Sequence, residues 1–434
     1  MITPNESAAS KGSAEPDTTK TEAASVVAVA AEAPLTGLVD RPKLERKAAK
    51  VLDFNARPFA QKKLCDGMTM NLGDACVYRC VYCYAKQLAV RFASGTLNAE
   101  NDRRKAFDET APKLKMADVE IGRANAIGLL RKQLLDSDNK PRFFDDPKKV
   151  IYSPTLVDPA ANMDLLKETA AACNLIFTHT KNWEVRLLSK SSLLHLLVKD
   201  KMIDPKHHRR LIFGFSTGTL DDKVADAIEP GTALVKKRLE SLRWLQKHKF
   251  RTFGMICPSL PQENYQTFSD AICEAIHVDE CEHVWAEVLN RKSTPLDDVI
   301  AALEKKKFTD EVKLIRVANE SDRSWNDYAR ATFEAHRKNI KDDHFTFLHY
   351  MADDTEDYWK GKKKEGAVLL GSVAEELGLI GKAPTKLTPE QLEKKKELEE
   401  RVSAFFTSSI DAANALREIF EFDKCANYQI IDTP

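Results

Sequence analysis

Between residues 65 and 290 short apolar runs of strand length alternate with segments of helical period, and this alternation restricts the fold more than any other feature. The runs are roughly Met68 to Leu72, Val150 to Pro154, Glu184 to Ser189, Leu211 to Thr217, Arg251 to Ile256 and Val284 to Leu289. Between the later runs, Leu234, Val235, Leu239, Leu242 and Leu245 form one helical stripe, and Tyr265, Phe268, Ile272 and Ile276 form another. Strands repeated with helices between them predict an α/β fold, a parallel sheet with crossover helices. Six such units predict a partial (βα)6 TIM-like barrel. The stretch from Ser94 to Lys149 exceeds a simple crossover and reads as an insertion carrying a helix near Ile127 to Leu135.

The flanks differ in composition. Residues 1 to 40 are rich in Ala, Ser, Thr, Glu and Pro and lack aromatics, so they predict a disordered tail. The run Val26 to Ala31 is too short and Ala-rich, with no basic region ahead of it, for a secretion signal. Residues 41 to 64 are a basic lead-in segment. From Arg41 to Lys63, eight basic residues stand against Glu45 and Asp53, a local charge of +6. It either touches phosphates or is a solvated linker into the core domain, residues 65 to 290. Past Asn290 the pattern becomes Lys/Glu-rich, and residues 291 to 434 are expected to be a mainly helical extension. Thr388-Pro389-Glu390-Gln391 supplies an N-cap, a first-turn proline and a capping-box Gln for one of its helices.

The chain has 434 residues, 43% of them hydrophobic, enough for a substantial core. Its 66 basic and 66 acidic residues cancel, which excludes a global pull toward nucleic acid or an anionic membrane. No apolar run approaches the ~18 residues that a membrane span requires. Nine cysteines without a pairing pattern point to a reducing, cytoplasmic setting.

Three of those cysteines, Cys76, Cys80 and Cys83, fall within eight residues with the spacing C-x3-C-x2-C. They follow the first strand directly, the end at which barrel enzymes build active sites. Tyr78, Arg79, Tyr82 and Tyr84 interleave them, so the segment reads as a loop rather than as buried structural cysteines. A zinc site with Cys65 as fourth thiolate is the other alternative. Structural zinc favours paired C-x2-C knuckles or Cys/His sets, and no second pair or nearby His-x3-His occurs.

The run Asn71 to Ala85, NLGDACVYRCVYCYA, resembles the cluster loop of radical S-adenosylmethionine (SAM) enzymes, and in particular the spore photoproduct lyase, or DNA repair photolyase-like, branch. Later segments resemble it in the same order: Thr155 to Pro159, Ser189-Lys190-Ser191, Phe215-Ser216-Thr217, then Ile228 to Gly231 with Arg238. The resemblance implies that Cys76, Cys80 and Cys83 bind a 4Fe-4S cluster and leave one iron open for SAM. It implies an enzyme that cleaves SAM reductively and abstracts a hydrogen atom from a substrate still to be identified. An external electron donor such as flavodoxin or ferredoxin is implied with it. Nucleic-acid lesion repair or modification is the narrower reading, and a non-catalytic Fe-S or zinc-binding protein is the reading from another class.

By the same resemblance Lys190 binds the SAM carboxylate, Ser216 makes polar contacts to SAM, and Tyr82 and Tyr84 form the cofactor wall. Arg238 either supports that site or pairs with Glu229. Asp158 is either a site residue or a turn cap. The chain departs from photoproduct repair in one respect. The extra hydrogen-donating cysteine of that activity has no counterpart between Cys83 and Cys173. Cys173 reads as buried, and packing is favoured over hydrogen donation for Cys257, at the end of the fifth strand. Cys273 and Cys281 form no second-cluster pattern. Glu287 shares a strand face with Trp285 and points either into the barrel or to the surface.

Overall fold

All six strand runs read between residues 65 and 290 are strands of one sheet, and they lie side by side in chain order. The computed structural model describes residues 41–291, 296–349 and 356–369, with five positions between 388 and 396. The expected tail, 1–40, lies outside the described residues, as does most of the helix expected from Thr388. The strands are β1 (Lys43–Arg46), β2 (Leu52–Asp53), β3 (Met68–Met70), β4 (Gly73–Ala75), β5 (Glu120–Arg123) and β6 (Lys149–Ser153). They continue with β7 (Trp183–Ser189), β8 (Leu211–Ser216), β9 (Thr252–Ser259), β10 (Val284–Val288), β11 (Phe345–His349) and β12 (Ala367–Leu369).

The larger sheet has the order β12-β11-β10-β9-β8-β7-β6-β3-β2. All its neighbours are parallel except β2, which runs antiparallel to β3. Helices cross between consecutive parallel strands, among them Ala85–Phe107, Met163–His179, Val235–Lys247 and Tyr265–Ile276. The insertion carries the helix Ala126–Leu134, close to its expected place. The sheet runs three strands further than the sequence reading, with β2 at one edge and β11 and β12 at the other. β11 and β12 come from the region read as mainly helical, and they follow the helices Leu296–Lys305, Thr309–Ala318 and Asp322–Asn339. Among the described residues no ladder joins β12 to β2.

Side-chain alternation gives the sheet two different faces. Ile151, Val185, Phe213, Ala286 and Phe347 pack against the crossover helices, each fully buried. Burial of a side chain such as Phe or Leu contributes about 1.5–3 kcal/mol. On the inner face Tyr152, Ile212, Phe253, Met255, Trp285 and Leu348 pack together with Leu64 and Cys65. Gly214 belongs to this face, where a Cβ would lie 2.2 Å from the Phe253 ring, so only glycine lets that ring cross β8.

The segment Phe59 to Cys65 covers the inner face at the amino ends of the strands. Trp285 Nε1 donates to Lys62 O (2.8 Å), and Arg186 Nη1 donates to Leu64 O (2.5 Å) while its guanidinium lies 4.8 Å from the Trp285 ring. Phe59 stacks on Tyr152 with centroids 5.6 Å apart.

The basic lead-in is not a free linker. Lys43–Arg46 pairs in parallel with Glu120–Arg123, and β5 pairs antiparallel with β4, giving a second sheet of order β1-β5-β4. At its centre the wholly buried Asp74 accepts from Arg46 Nε (2.6 Å) and from Arg123 Nε and Nη2 (3.0 and 2.8 Å). Val51 and Leu52, further along the lead-in, belong to the main core.

Candidate active site

The cysteine loop is delivered by β3 and β4 and runs into the helix Ala85–Phe107. At the end of β3, Asn71 fastens the neighbouring loop. Its Oδ1 accepts from the backbone N–H groups of Thr155 and Leu156 (both 3.0 Å), and its Nδ2 donates to Thr155 Oγ1 (2.5 Å). The cysteine loop is then clamped by its own backbone. Arg79 N donates to Pro230 O (3.1 Å), Val81 N to Ile228 O (2.8 Å) and Cys83 N to Cys80 O (3.1 Å).

Cys80 is buried, and Cys76 and Cys83 are half-buried. Burial pushes the Cys76 thiol up to about 12, with the Asp158 carboxylate adding to the effect. Burial likewise raises Cys80 and Cys83. Such thiols are ligands once a metal displaces their protons. Among the described residues no three His, Cys, Asp or Glu side chains surround a point for a single ion. A cubane takes each thiolate at its own iron, so cysteines that hold one need not converge on a single point. Cys65, the candidate fourth zinc thiolate, packs instead in the apolar inner face with Tyr152 and Trp285.

Beside the loop lies a buried polar cluster built at the carboxyl ends of β7 and β8. Lys190 Nζ donates to Ser216 Oγ (2.5 Å), lies 3.4 Å from Glu229 Oε1, and reaches Cys257 O at 3.4 Å. Ser216 Oγ in turn donates to Cys257 O (3.0 Å). The Tyr82 hydroxyl donates to Glu229 Oε1, and the Lys190 ammonium stands 5.7 Å from the Tyr82 ring centroid. On the other side Arg238 Nη2 pairs with Glu229 Oε2 (2.6 Å), and the same guanidinium donates to the carbonyls of Ser216 (2.9 Å) and Ala233 (2.8 Å). Burial opposes ionisation of Glu229, but Arg238 and then Lys190 bring its carboxyl below the usual range. Arg238 is raised in spite of its burial by the same Glu229 carboxylate.

Of the residues expected at a cofactor site, Tyr82, Lys190 and Ser216 meet one another, with Glu229 between them. Arg238, 1% exposed, pairs with Glu229. The Tyr84 hydroxyl donates to Thr155 O (2.8 Å). Asp158 acts as a loop fastener, accepting from Ser189 Oγ (2.7 Å) and from the backbone of Lys190 (2.7 Å) and Ala160 (2.9 Å). Cys173 is wholly buried. Cys257 is half-buried at the edge of the inner-face packing, and Glu287 reaches it there, Oε2 lying 3.8 Å from the sulfur. Glu287 therefore shares the inner face with Trp285. Sequence reading gave Asn71 no role, although an Asn directly after a strand is a standing signal for side-chain capping of a neighbouring loop.

Among the described residues no helix is long and apolar enough to cross a membrane. No protein-family model matches the chain, and no curated protein matches it. Solved structures do. Spore photoproduct lyase complexed with dinucleoside spore photoproduct aligns at 14% identity and a TM-score of 0.36, over 56% of this chain and 61% of that chain. A variant of that lyase with bound AdoMet and dinucleoside spore photoproduct aligns at 15% identity and a TM-score of 0.35, with the same coverage. A third, another variant with dinucleoside spore photoproduct, aligns at 17% and 0.32, over 51% of this chain and 55% of that one. The alignments thus span less than two thirds of the chains they match. All three are structures of spore photoproduct lyase.

Proposed function

We propose that the chain is a radical SAM enzyme in which Cys76, Cys80 and Cys83 hold a 4Fe-4S cluster and Lys190, Ser216 and Tyr82 receive SAM beside it, at the carboxyl ends of a sheet curled as a partial barrel. One observation carries the reading. The three-thiol loop is clamped through Arg79 and Val81 to the segment Ile228 to Pro230, whose Glu229 contacts Lys190 and Tyr82. A metal-ligating loop and a buried cation are thereby held next to each other. When bound, the cluster and SAM supply reductive cleavage and hydrogen abstraction from a substrate, with electrons from a donor such as flavodoxin or ferredoxin. This chemistry belongs in a reducing compartment such as the cytoplasm, in keeping with the cysteine usage.

The chain's own residues bind, orient and exclude water. The Lys190 ammonium is the charge complement of an amino-acid carboxylate, and Ser216 offers a hydroxyl beside it. The Tyr82 ring walls the same space, and Tyr84 anchors the exit of the loop through Thr155. The Phe59 to Cys65 segment keeps water from the amino end of the inner face. A nucleic-acid substrate rests on the motif resemblance and on the exposed Lys43 and Lys47 of the lead-in. Arg46 is committed to Asp74, so the lead-in is not a free basic arm.

The test is anaerobic reconstitution with iron and sulfide, reduction with dithionite, addition of SAM and chromatography for 5′-deoxyadenosine. The expected outcome is formation by the native chain and loss on Cys80→Ala. A protein that carries one zinc and no sulfide would overturn the enzyme reading.

A further inference from the structure

Resting on the reading just given, we infer that Glu229 is a positioning residue that aims the Lys190 ammonium at the cofactor carboxylate and ties that aim to the cysteine loop. The two carboxylate oxygens of Glu229 are divided. Oε2 takes Arg238 at 2.6 Å, while Oε1 faces the site, where it accepts from Tyr82 and lies 3.4 Å from Lys190 Nζ. A salt bridge made only for stability needs the Arg238 side alone. The second oxygen is spent on the two residues that line the cofactor space.

A lysine ammonium has three N–H donors and a flexible stem, so its direction is set by what accepts from it. For Lys190 the acceptors are Ser216 Oγ and the Cys257 carbonyl, and Glu229 Oε1 faces it as an ion-pair partner at 3.4 Å. Of these only Glu229 carries a charge, and charge-assisted bonds are about twice as strong as neutral ones. Its contact is a long one, which steers the ammonium without saturating it and leaves the cation able to share an incoming carboxylate.

Glu229 is itself immobile. It is 3% exposed, its neighbours Ile228 and Pro230 accept backbone bonds from Val81 and Arg79, and Arg238 holds it from the helix Val235–Lys247. One residue therefore connects the cysteine loop, the end of β7 and a crossover helix. The class of ligand this arrangement serves is an α-amino-acid carboxylate.

The test compares native protein with Glu229→Gln and Tyr82→Phe, each reconstituted anaerobically, by iron and sulfide content, thermal melting and equilibrium binding of SAM. Glu229→Gln keeps the shape and the Tyr82 contact but removes the charge that steers Lys190. It is expected to retain iron and sulfide and to bind SAM about tenfold more weakly, the size of one lost charge-assisted bond. Tyr82→Phe, which leaves Glu229 in place, is expected to weaken binding by a smaller factor, and the double variant to bind no worse than Glu229→Gln alone. A folded Glu229→Gln protein that binds SAM within twofold of native overturns the inference. So does a double variant whose losses multiply. Should Glu229→Gln fail to fold, Tyr82→Phe decides by itself, and unchanged binding there overturns the inference. Native protein that takes up iron and sulfide but binds no SAM overturns the reading of the whole site, an outcome distinct from the other two.

Discussion

His336 is wholly buried on the helix Asp322–Asn339, with Nδ1 2.9 Å from Ser269 Oγ and the Phe268 and Phe345 rings around it. Burial lowers its pKa to about 4. His283 is likewise held at about 4, by burial and then by Arg186 and Lys63, and its Nε2 sits 2.8 Å from Thr346 Oγ1. In the unfolded chain both titrate near 6.5. The stability each contributes as a neutral ring is present in full above about 6.5 and is lost as the pH falls toward about 4. For His336 the loss is on the order of 3 kcal/mol across that window. The melting temperature should therefore fall between pH 6.5 and 5, above the range where most carboxylates titrate, and His336→Gln should flatten the fall. An equal fall in that variant would sink the assignment. At this scale the sequence was legible wherever chemistry is local. Cys76, Cys80 and Cys83 declare themselves within eight residues, whereas Tyr82 and Glu229 are 147 residues apart and their meeting leaves no mark on either segment.

Strands were legible where they are apolar. β6 to β10 are rich in aliphatic and aromatic residues, which want a pleated, buried surface. β1, Lys-Leu-Glu-Arg, carries three charged residues in four, and its partner β5 lies more than seventy residues on, so composition hid it as a linker. β11, Phe-Thr-Phe-Leu-His, has a strand-like sequence but stands among Lys/Glu-rich helices whose period dominated the reading. Asp74 holds the small sheet together through Arg46 and Arg123, whose side chains are only 25% and 11% exposed. Asp74→Asn would leave two partly buried guanidinium groups without their anion. The expected cost is about 3 kcal/mol, read as a lower melting temperature together with new protease cleavage between residues 41 and 50. A native cleavage pattern in the variant would show that the small sheet does not depend on this pair.

Taken as a whole, the chain does not stop its core at residue 290, where the sequence pattern changes. Trp325 Nε1 donates to Leu289 O (3.0 Å), the Tyr328 hydroxyl donates to Ser259 O and accepts from Leu289 N (3.0 Å), and β11 pairs along β10. A chain ending at residue 290 should therefore not fold cooperatively, because Val284, Ala286 and Val288 would lose their cover and β10 would become an open edge. A soluble fragment with a sharp melting transition would contradict this. The change at residue 290 is one of composition, since beyond it the helix Asp322–Asn339 carries Trp325, Tyr328 and Phe333 into the main core. Lys62 to Leu64, gripped by Trp285 and Arg186, has a consequence for traffic. The inner face of the sheet has a floor. Lys62 to Leu64 close the amino ends of the strands, so the polar groups at the other end, among them Ser216 and Lys190, are not approached between Trp285 and Arg186.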